Sequence, residues 1–184
     1  MKILITGTAG FIGFNLSNHL LSKRKNFLIY GIDNLNNYYS KNLKKTRLNV
    51  LKKYKNFKFF NIDIKNNLAL EKFFKSKKID LVFNFAAQAG VGYSIKNPKA
   101  YLDSNVIGFF NILENCRKNK IKKLLFASSS SVYGNSKHFP LKENIATEPI
   151  NFYGLTKKNN EEMAKTFSTA YNMRIIGLRF FTVF

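Results

Sequence analysis

The stretch ITGTAGFIGFNL, residues 5–16, carries Gly7, Gly10 and Gly13 between an apolar run and a helical pattern. Glycine inside a regular element costs roughly 0.5–1 kcal/mol relative to alanine, so three of them at every third position need a compensating role. At the turn from a strand to a helix, glycines let the backbone approach a pyrophosphate, and the free N–H groups at the helix N-terminus stabilise its charge. The stretch therefore predicts a dinucleotide-binding turn, with a plain strand-to-helix turn as the alternative.

An acidic residue favours the dinucleotide interpretation. The spacing G-x-x-G-x-x-G differs from the commonest G-x-G-x-x-G, so the glycines alone are a weak motif. Asp33 follows the second predicted strand, 20 residues after Gly13, where a carboxylate can accept hydrogen bonds from an adenosine ribose. Because the same charge would repel a 2′-phosphate, the sequence predicts NAD rather than NADP.

Short apolar runs alternate with longer helical patterns along the chain, which is typical of βα units around a parallel sheet. The predicted strands are residues 2–6, 27–32, 57–62, 80–86, 123–128 and 174–181, and the predicted helices are residues 11–23, 40–54, 67–77, 97–119 and 152–172. Continuous apolar strands are typical of sheets covered on both faces. We therefore expect an α/β fold, a Rossmann-type doubly wound parallel sheet with helices on both faces, in which residues 1–184 form a single NAD-binding domain.

The net charge of +21 is the unusual feature of the composition, and such a charge generally favours an anionic partner such as nucleic acid. The lysines, however, are spread along nearly the whole chain beside many Asn, Ile and Phe residues, the set that A/T-rich codons enrich. We interpret the charge as codon bias, with functional binding to an anionic partner surface as the alternative. We expect no specific nucleic-acid partner.

Metal, disulfide and membrane functions have no motif in the sequence. Cys116 is the single cysteine, and with only His19 and His138 beside it no metal-ligand spacing is present. No apolar run approaches the roughly 18–20 residues that cross a bilayer, and the N-terminus runs straight into a strand pattern instead of a leader peptide. We therefore expect a cytoplasmic protein with no metal site and no membrane insertion, in which Cys116 is a small buried hydrophobic residue.

Tyr153 and Lys157 stand four residues apart at the start of a helical pattern, which puts both on one helix face. Without further evidence, the alternative is that the tyrosine only packs against the core and the lysine only contacts solvent. Six stretches in order, however, resemble the NAD-dependent epimerase/dehydratase family of extended short-chain dehydrogenases/reductases: GIDNLNNYYSKNLKKTRL, AAQAGVGYS, DSNVIGFFNILENCR, ASSSSVYG, YGLTKK and LRFFTV. The resemblance covers residues 2–184 and is closest to the UDP-glucuronate 4-epimerase branch.

The resemblance implies a role for each matching residue. Tyr153 takes the proton from the sugar 4-hydroxyl, Lys157 stabilises the phenolate and binds the nicotinamide ribose, and Ser129 assists proton transfer, with Ser128 and Ser130 as close alternatives. The implied cofactor is NAD, held by Gly7, Gly10, Phe11, Ile12, Gly13, Asp33, Asn34, Asp63, Ile64, Ala86, Ala87, Gln88, Asn105, Tyr153 and Lys157. The implied substrate is a UDP-sugar, contacted by Ser129, Ser130 and Thr182. Because an unperturbed tyrosine has a pKa of about 10, Tyr153 needs a neighbouring cation to act as a base at neutral pH.

The residues after Ser129 favour one reaction of the family. Family dehydratases usually follow the catalytic hydroxyl residue with Asp-Glu, an acid and a base for eliminating water, where this chain has Ser130 and Ser131. We therefore predict a nucleotide-sugar 4-epimerase of UDP-glucuronate or UDP-glucose type, acting through a 4-keto intermediate in surface-polysaccharide precursor synthesis, or its cofactor-binding part. The alternatives are a catalytically incompetent module that binds NAD or a partner, a dehydratase, and a basic nucleic-acid-binding protein.

The chain departs from the family pattern in two places. Gly92 stands where the branch usually has an arginine suited to an anionic sugar. Family members also usually continue well beyond residue 184, so we expect a C-terminally truncated form that lacks most of the substrate-binding portion. We therefore expect residues 1–184 alone to be inactive, and to form a homo-oligomer or depend on a complementing chain.

Overall fold

A parallel sheet organises the computed structural model, which describes residues 1–23 and 26–184. Within those residues the strands are β1 (Lys2–Thr6), β2 (Leu28–Asp33), β3 (Phe57–Asn61), β4 (Leu81–Asn84), β5 (Lys123–Ser129) and β6 (Arg174–Phe180). Their order in the sheet is β3-β2-β1-β4-β5-β6, and every neighbouring pair is parallel. The order reverses between β1 and β4, which is the doubly wound Rossmann arrangement. The predicted fold class is confirmed.

The helices follow the strands, with one prediction corrected and one helix, residues 91–96, that the sequence did not predict. They are α1 (Phe11–Lys23), α2 (Lys41–Lys52), α3 (Asn67–Ser76), α4 (Val91–Lys96), α5 (Pro98–Tyr101), α6 (Gly108–Lys118) and α7 (Phe152–Tyr171), with a π-helical turn at Leu102–Ile107 and a 3₁₀ turn at Ser130–Tyr133. The single helix predicted over residues 97–119 is instead α5, the π-helical turn and α6. Pro98 occupies the first turn of α5, and the Asn97 side chain caps it by accepting a hydrogen bond from the Ala100 N–H at 3.3 Å.

Two hydrophobic clusters cover the two faces of the sheet. In β1, Leu4 belongs to one cluster while Ile3 and Ile5 belong to the other, because successive side chains of a strand point to opposite faces. Each fully buried Leu, Ile or Phe side chain stabilises the fold by roughly 1.5–3 kcal/mol relative to its exposed state. The strands are therefore held from both sides, which fixes where their carboxyl ends lie.

Cys116 lies in one of these clusters with no exposed surface, and burial raises the pKa of its thiol. It is a small buried hydrophobic residue, as the sequence predicts. Among residues 1–23 and 26–184, no helix is both long enough and apolar enough to span a bilayer. The same residues contain no group of three or more His, Cys, Asp or Glu side chains that could hold a metal ion.

Candidate active site at the carboxyl ends of the strands

The glycine turn between β1 and α1 leaves no room for side chains. Gly7 has a φ of 68°, and a Cβ added to it would lie 2.7 Å from the Ala86 backbone nitrogen. A Cβ on Gly13 would overlap the Gly7 carbonyl oxygen. The turn therefore packs backbone against backbone, with the N-terminus of the 13-residue helix α1 directly behind it. This is the arrangement that brings free N–H groups to a pyrophosphate.

A cleft runs over this turn along the carboxyl ends of the strands. The half that lies beside Asp33 is the Asp33 end. It is lined by Gly7, Gly10, Ile32, Asp33, Asn34, Asn36, Tyr38, Tyr39, Lys44, Ile62, Asp63, Ile64, Phe85, Ala86, Ala87, Gln88, Ala89 and Ser104. Asp33 is 7% exposed, and its carboxylate accepts hydrogen bonds from the Ala9 N–H at 3.0 Å and the Leu35 N–H at 2.9 Å. The carboxylate thus connects the end of β2 to the glycine turn.

The second half of the cleft, the Tyr153 end, continues over β4, β5 and β6. It is lined by Gly7, Gly10, Phe11, Ile12, Gly13, Tyr39, Leu43, Arg47, Phe85, Ala87, Ala89, Ala127, Ser128, Ser129, Tyr153, Lys157, Phe180, Phe181 and Val183. The two ends share the glycine turn and the segment after β4. Every predicted cofactor residue except Asn105 therefore lines one end or the other.

The start of α7 brings Tyr153 beside Ser129. Asn151 caps the helix by accepting a hydrogen bond from the Gly154 N–H at 2.8 Å. A Cβ on Gly154 would lie 2.6 Å from the Ser131 carbonyl oxygen, so only glycine lets α7 approach the 3₁₀ turn this closely. Ser129, in turn, caps the 3₁₀ turn by accepting from the Ser131 N–H at 3.1 Å.

Lys157 lies one helical turn beyond Tyr153 and is 3% exposed. Its Nζ donates to the Ala127 carbonyl oxygen at 2.8 Å and lies 5.9 Å from the centroid of the Tyr153 ring. Burial lowers the pKa of the Lys157 ammonium to about 8. Burial also raises the pKa of the Tyr153 phenol, and a hydrogen bond with the Ser129 side chain only partly opposes that increase.

Asn105 does not line the cleft, but it supports the cleft through hydrogen bonds to residues on both sides. It lies in the π-helical turn, and its side-chain amide donates to the Gln88 carbonyl oxygen and the Thr156 hydroxyl, both at 3.0 Å. Its Oδ1 accepts from the Gln88 N–H at 2.8 Å. Asn105 therefore holds the segment after β4 against α7, and a π-helical turn is a common device at functional sites.

The two remaining predicted substrate residues border the Tyr153 end. Ser130 lies in the 3₁₀ turn after Ser129, and Thr182 follows β6 between Phe181 and Val183, which do line the cleft. Thr182 is exposed.

An ion pair between Glu161 and Arg179 stands behind Ser129, and sequence reasoning did not find it. The Glu161 carboxylate accepts from Arg179 Nε at 2.9 Å, from Arg179 Nη2 at 2.8 Å and from the Ser128 hydroxyl at 2.5 Å. Burial raises the pKa of Glu161, but the hydrogen bonds from Arg179 and Ser128 outweigh it and leave that pKa lowered. Glu161 is four residues after Lys157 on α7, which places both side chains on one face of the helix. This spacing is the signal by which the sequence could have indicated Glu161.

Comparisons with known proteins find relatives over the whole length of this chain. A family profile described as GDP-mannose 4,6 dehydratase matches residues 4–183. Protein CapI of Staphylococcus aureus is 50% identical over all of this chain and 54% of its own length. UDP-glucuronate 4-epimerase 4 of Arabidopsis thaliana is 41% identical over all of this chain and 42% of its own length.

A solved structure shares the fold as well. The crystal structure of UDP-glucuronic acid 4-epimerase from Bacillus cereus, in complex with UDP-glucuronic acid and NAD, is 34% identical with a TM-score of 0.91, and the match covers 100% of this chain and 57% of that one. The chain thus spans about half the length of the curated relatives it matches. The family resemblance seen in the six sequence motifs is confirmed. The chain belongs to the GDP-mannose 4,6 dehydratase family of NAD-dependent epimerases and dehydratases.

Proposed function

We propose that this chain is the NAD-binding and catalytic half of a UDP-sugar 4-epimerase. One observation carries the proposal: Ser129, Tyr153 and Lys157 converge at one end of a cleft whose other end holds Asp33 and the glycine turn. The Bacillus cereus relative, crystallised with UDP-glucuronic acid and NAD, supports both ligand classes.

The residues of the cleft fit NAD. A Cβ on Gly7 or Gly13 would collide with backbone atoms of the protein itself, so only glycine permits the turn that presents backbone N–H groups to the pyrophosphate. Asp33 supplies the carboxylate for the adenosine ribose, and Lys157 lies at the opposite end for the nicotinamide ribose. NAD bound in this cleft would supply the acceptor for the hydride of the sugar's carbon 4 and the donor that returns the hydride to the other face.

The protein's own residues move the proton. Tyr153, as phenolate, accepts the proton of the sugar 4-hydroxyl as the carbonyl forms, and later returns it to the same oxygen. Lys157 supplies a fixed positive charge on the same helix face, which favours the phenolate. Ser129 lies beside Tyr153 and donates a hydrogen bond to the oxygen that changes charge. No further acid or base is needed, because no water is eliminated.

The absence of a free carboxylate favours epimerisation over dehydration. The described residues that line the Tyr153 end include no Asp or Glu. Glu161 lies nearby, but Arg179 and Ser128 occupy its carboxylate oxygens. Elimination of water requires an acid and a base in addition to the tyrosine.

Gly92 bears on the choice of sugar. It is exposed on α4, and a Cβ added there would have no atom within 4 Å, so an arginine could be accommodated. Because the chain lacks that cation, we propose that it accepts a UDP-sugar without requiring the carboxylate of glucuronate. UDP-glucose and UDP-glucuronate are therefore the two substrates to compare.

A binding module without turnover is the second candidate function. The outer edge of β6 has no neighbouring strand among the described residues, and Phe181 and Phe184 are 58% and 105% exposed. This open edge would suit a complementing segment that completes the wall of the Tyr153 end.

We propose a cytoplasmic location for either function, because both NAD and UDP-sugars are available in the cytoplasm.

A chimera tests the proposed function. Residues 1–184 replace the matching part of the Bacillus cereus enzyme, and chromatography follows the C4 epimers of UDP-glucose and UDP-glucuronate. We expect epimerisation by the chimera, a rate lower by roughly 10²–10⁴-fold in the Tyr153→Phe chimera, and none by residues 1–184 alone. A folded, NAD-containing chimera that epimerises neither sugar would contradict the epimerase and leave the binding module, whereas failure of residues 1–184 to bind NAD in a calorimetric titration would contradict both.

A further inference from the structure

Lys44 is a buried cation that the proposed reaction does not use. Among the lysines that the structure describes, only Lys44 and Lys157 are buried, at 4% and 3% exposure. Removing an ammonium group from water is costly unless hydrogen bonds or an opposite charge replace the water. Lys157 has a role beside Tyr153, whereas Lys44 lies on α2 and lines the Asp33 end.

The partners of the Lys44 ammonium leave one donor unused. Its Nζ donates to the Asn36 carbonyl oxygen at 3.0 Å and to Asn36 Oδ1 at 2.8 Å, and it lies 4.5 Å from the centroid of the Tyr39 ring. Within residues 1–23 and 26–184, no carboxylate lies within 4.0 Å of it. A protonated lysine has three N–H donors and no acceptor. One donor is therefore left beside the cleft.

Anchoring the loop before α2 does not by itself account for this buried charge. The loop is already held by an Asx-type bond from the Asn36 N–H to Asn34 Oδ1 at 3.1 Å, and by the bond from Leu35 N–H to Asp33. Burial lowers the pKa of Lys44, while the charge of Asp33 acts in the opposite direction. Lys44 and Asp33 both line the Asp33 end of the cleft, so both side chains can act on one ligand there.

We propose that Lys44 is a second ribose-binding residue, which donates a hydrogen bond to one hydroxyl of the adenosine ribose while Asp33 accepts a hydrogen bond from the other. A vicinal diol offers both donors and acceptors. An ionised carboxylate can only accept and an ammonium can only donate, so the pair of side chains is complementary to the diol. The inference rests on the proposed binding of NAD and adds a residue that selects a free 2′,3′-diol.

Calorimetric titration with ADP and with 2′,3′-dideoxy-ADP tests this role. Lys44→Met is compared with the unaltered chain and with Lys45→Met, an exposed neighbour that loses the same charge. A hydrogen bond to a charged group is worth enough to change affinity by roughly tenfold or more. We expect Lys44→Met to weaken ADP binding by about that factor, to leave dideoxy-ADP binding unchanged, and Lys44→Arg to recover part of the ADP affinity. Lys45→Met should bind both ligands as the unaltered chain does.

The outcomes separate the inference from the proposed function. An equal loss of affinity for both ligands would mean that Lys44 only supports the loop, and no loss for either would mean that it does not contact the ribose; both outcomes overturn the inference. If the unaltered chain binds no ADP, the proposed NAD site fails with it. If Lys44→Met does not fold, the ¹⁵N resonance of the Lys44 ammonium in the unaltered chain replaces it, and this resonance must shift with ADP and not with dideoxy-ADP.

Discussion

The two ends of the cleft differ in how completely the described residues enclose them. At the Asp33 end, the Tyr38 ring before α2 packs against the Tyr93 ring of α4 with centroids 5.0 Å apart, so elements from both sides meet across the cleft. At the Tyr153 end, the wall beyond β5 consists of Phe180, Phe181 and Val183, and the last two are 58% and 48% exposed.

This difference separates binding from turnover. A dinucleotide can be held by the glycine turn and Asp33, which belong to one βαβ unit. Turnover also needs the sugar carbon held against the reacting groups, and such positioning accounts for roughly 7–11 kcal/mol of a reaction barrier. We therefore expect the Asp33 end to bind NAD in residues 1–184, and we expect the Tyr153 end to need a further wall for turnover.

Tyr153→Phe should have the largest effect, and only on turnover. In the active chimera the ring remains but the proton acceptor is lost, so the epimerisation rate should fall by roughly 10²–10⁴-fold. NAD affinity, measured by calorimetry, should change little, because the Asp33 end is untouched. A comparable fall in NAD affinity would show that the two ends are not separable.

Gly7→Ala should damage both ends, because Gly7 lines both. An alanine there would hold a φ of 68° and place its Cβ 2.7 Å from the Ala86 nitrogen. We expect the free energy of unfolding to fall by about 3 kcal/mol or more, with loss of NAD binding. Gly92→Ala is the matched control, since its Cβ meets nothing within 4 Å and should change stability by less than about 1 kcal/mol. Urea denaturation of both variants measures the difference, and equal midpoints would contradict the tight backbone packing.

The pH dependence of stability should report the burial of Lys157. Its pKa is lowered from 10.5 to about 8, so between these values the folded protein releases a proton that the unfolded chain still binds. The free energy of unfolding of the unaltered chain, relative to Lys157→Met, should therefore rise as pH increases across this window, by roughly 1–3 kcal/mol. Denaturation at pH values on either side of the window measures it, with the exposed Lys165→Met as control. A constant difference would mean that Lys157 is solvated.

Asp33→Asn should have the smallest effect, a change in cofactor preference. The unaltered chain should bind NAD more tightly than NADP, because the carboxylate repels a 2′-phosphate. Removing the charge while keeping an acceptor oxygen should shift the affinity ratio toward NADP by roughly tenfold, or about 1.4 kcal/mol. Titration with both cofactors decides, with Asp80→Asn, just before the amino end of β4, as control. An unchanged ratio would assign the discrimination against NADP to another residue.

The motifs that sequence reasoning found are those whose parts lie close together in the chain. The glycine turn, the 20-residue step from Gly13 to Asp33 and the four-residue step from Tyr153 to Lys157 are all local patterns. They depend on strand and helix periodicity, which a sequence displays directly. The helix predicted over residues 97–119 was wrong in its interior, because a π-helical turn depends on what the helix packs against.

The sequence by itself determined the order of the six strands and of helices α1, α2, α3 and α7, the glycine turn, Asp33 and the Tyr153–Lys157 pair, because spacing and periodicity suffice for these. Only the tertiary structure decided which of the many lysines are buried. Lys44 shares one face of α2 with the buried residues Leu48 and Leu51. Because the helix KNLKKTRLNVLK carries several basic residues, the sequence does not show which of them is buried. The tertiary structure likewise decided that Glu161 pairs with Arg179, 18 residues away and on a different element. Burial and ion pairing between elements depend on where the sheet brings them together, and no local pattern encodes that.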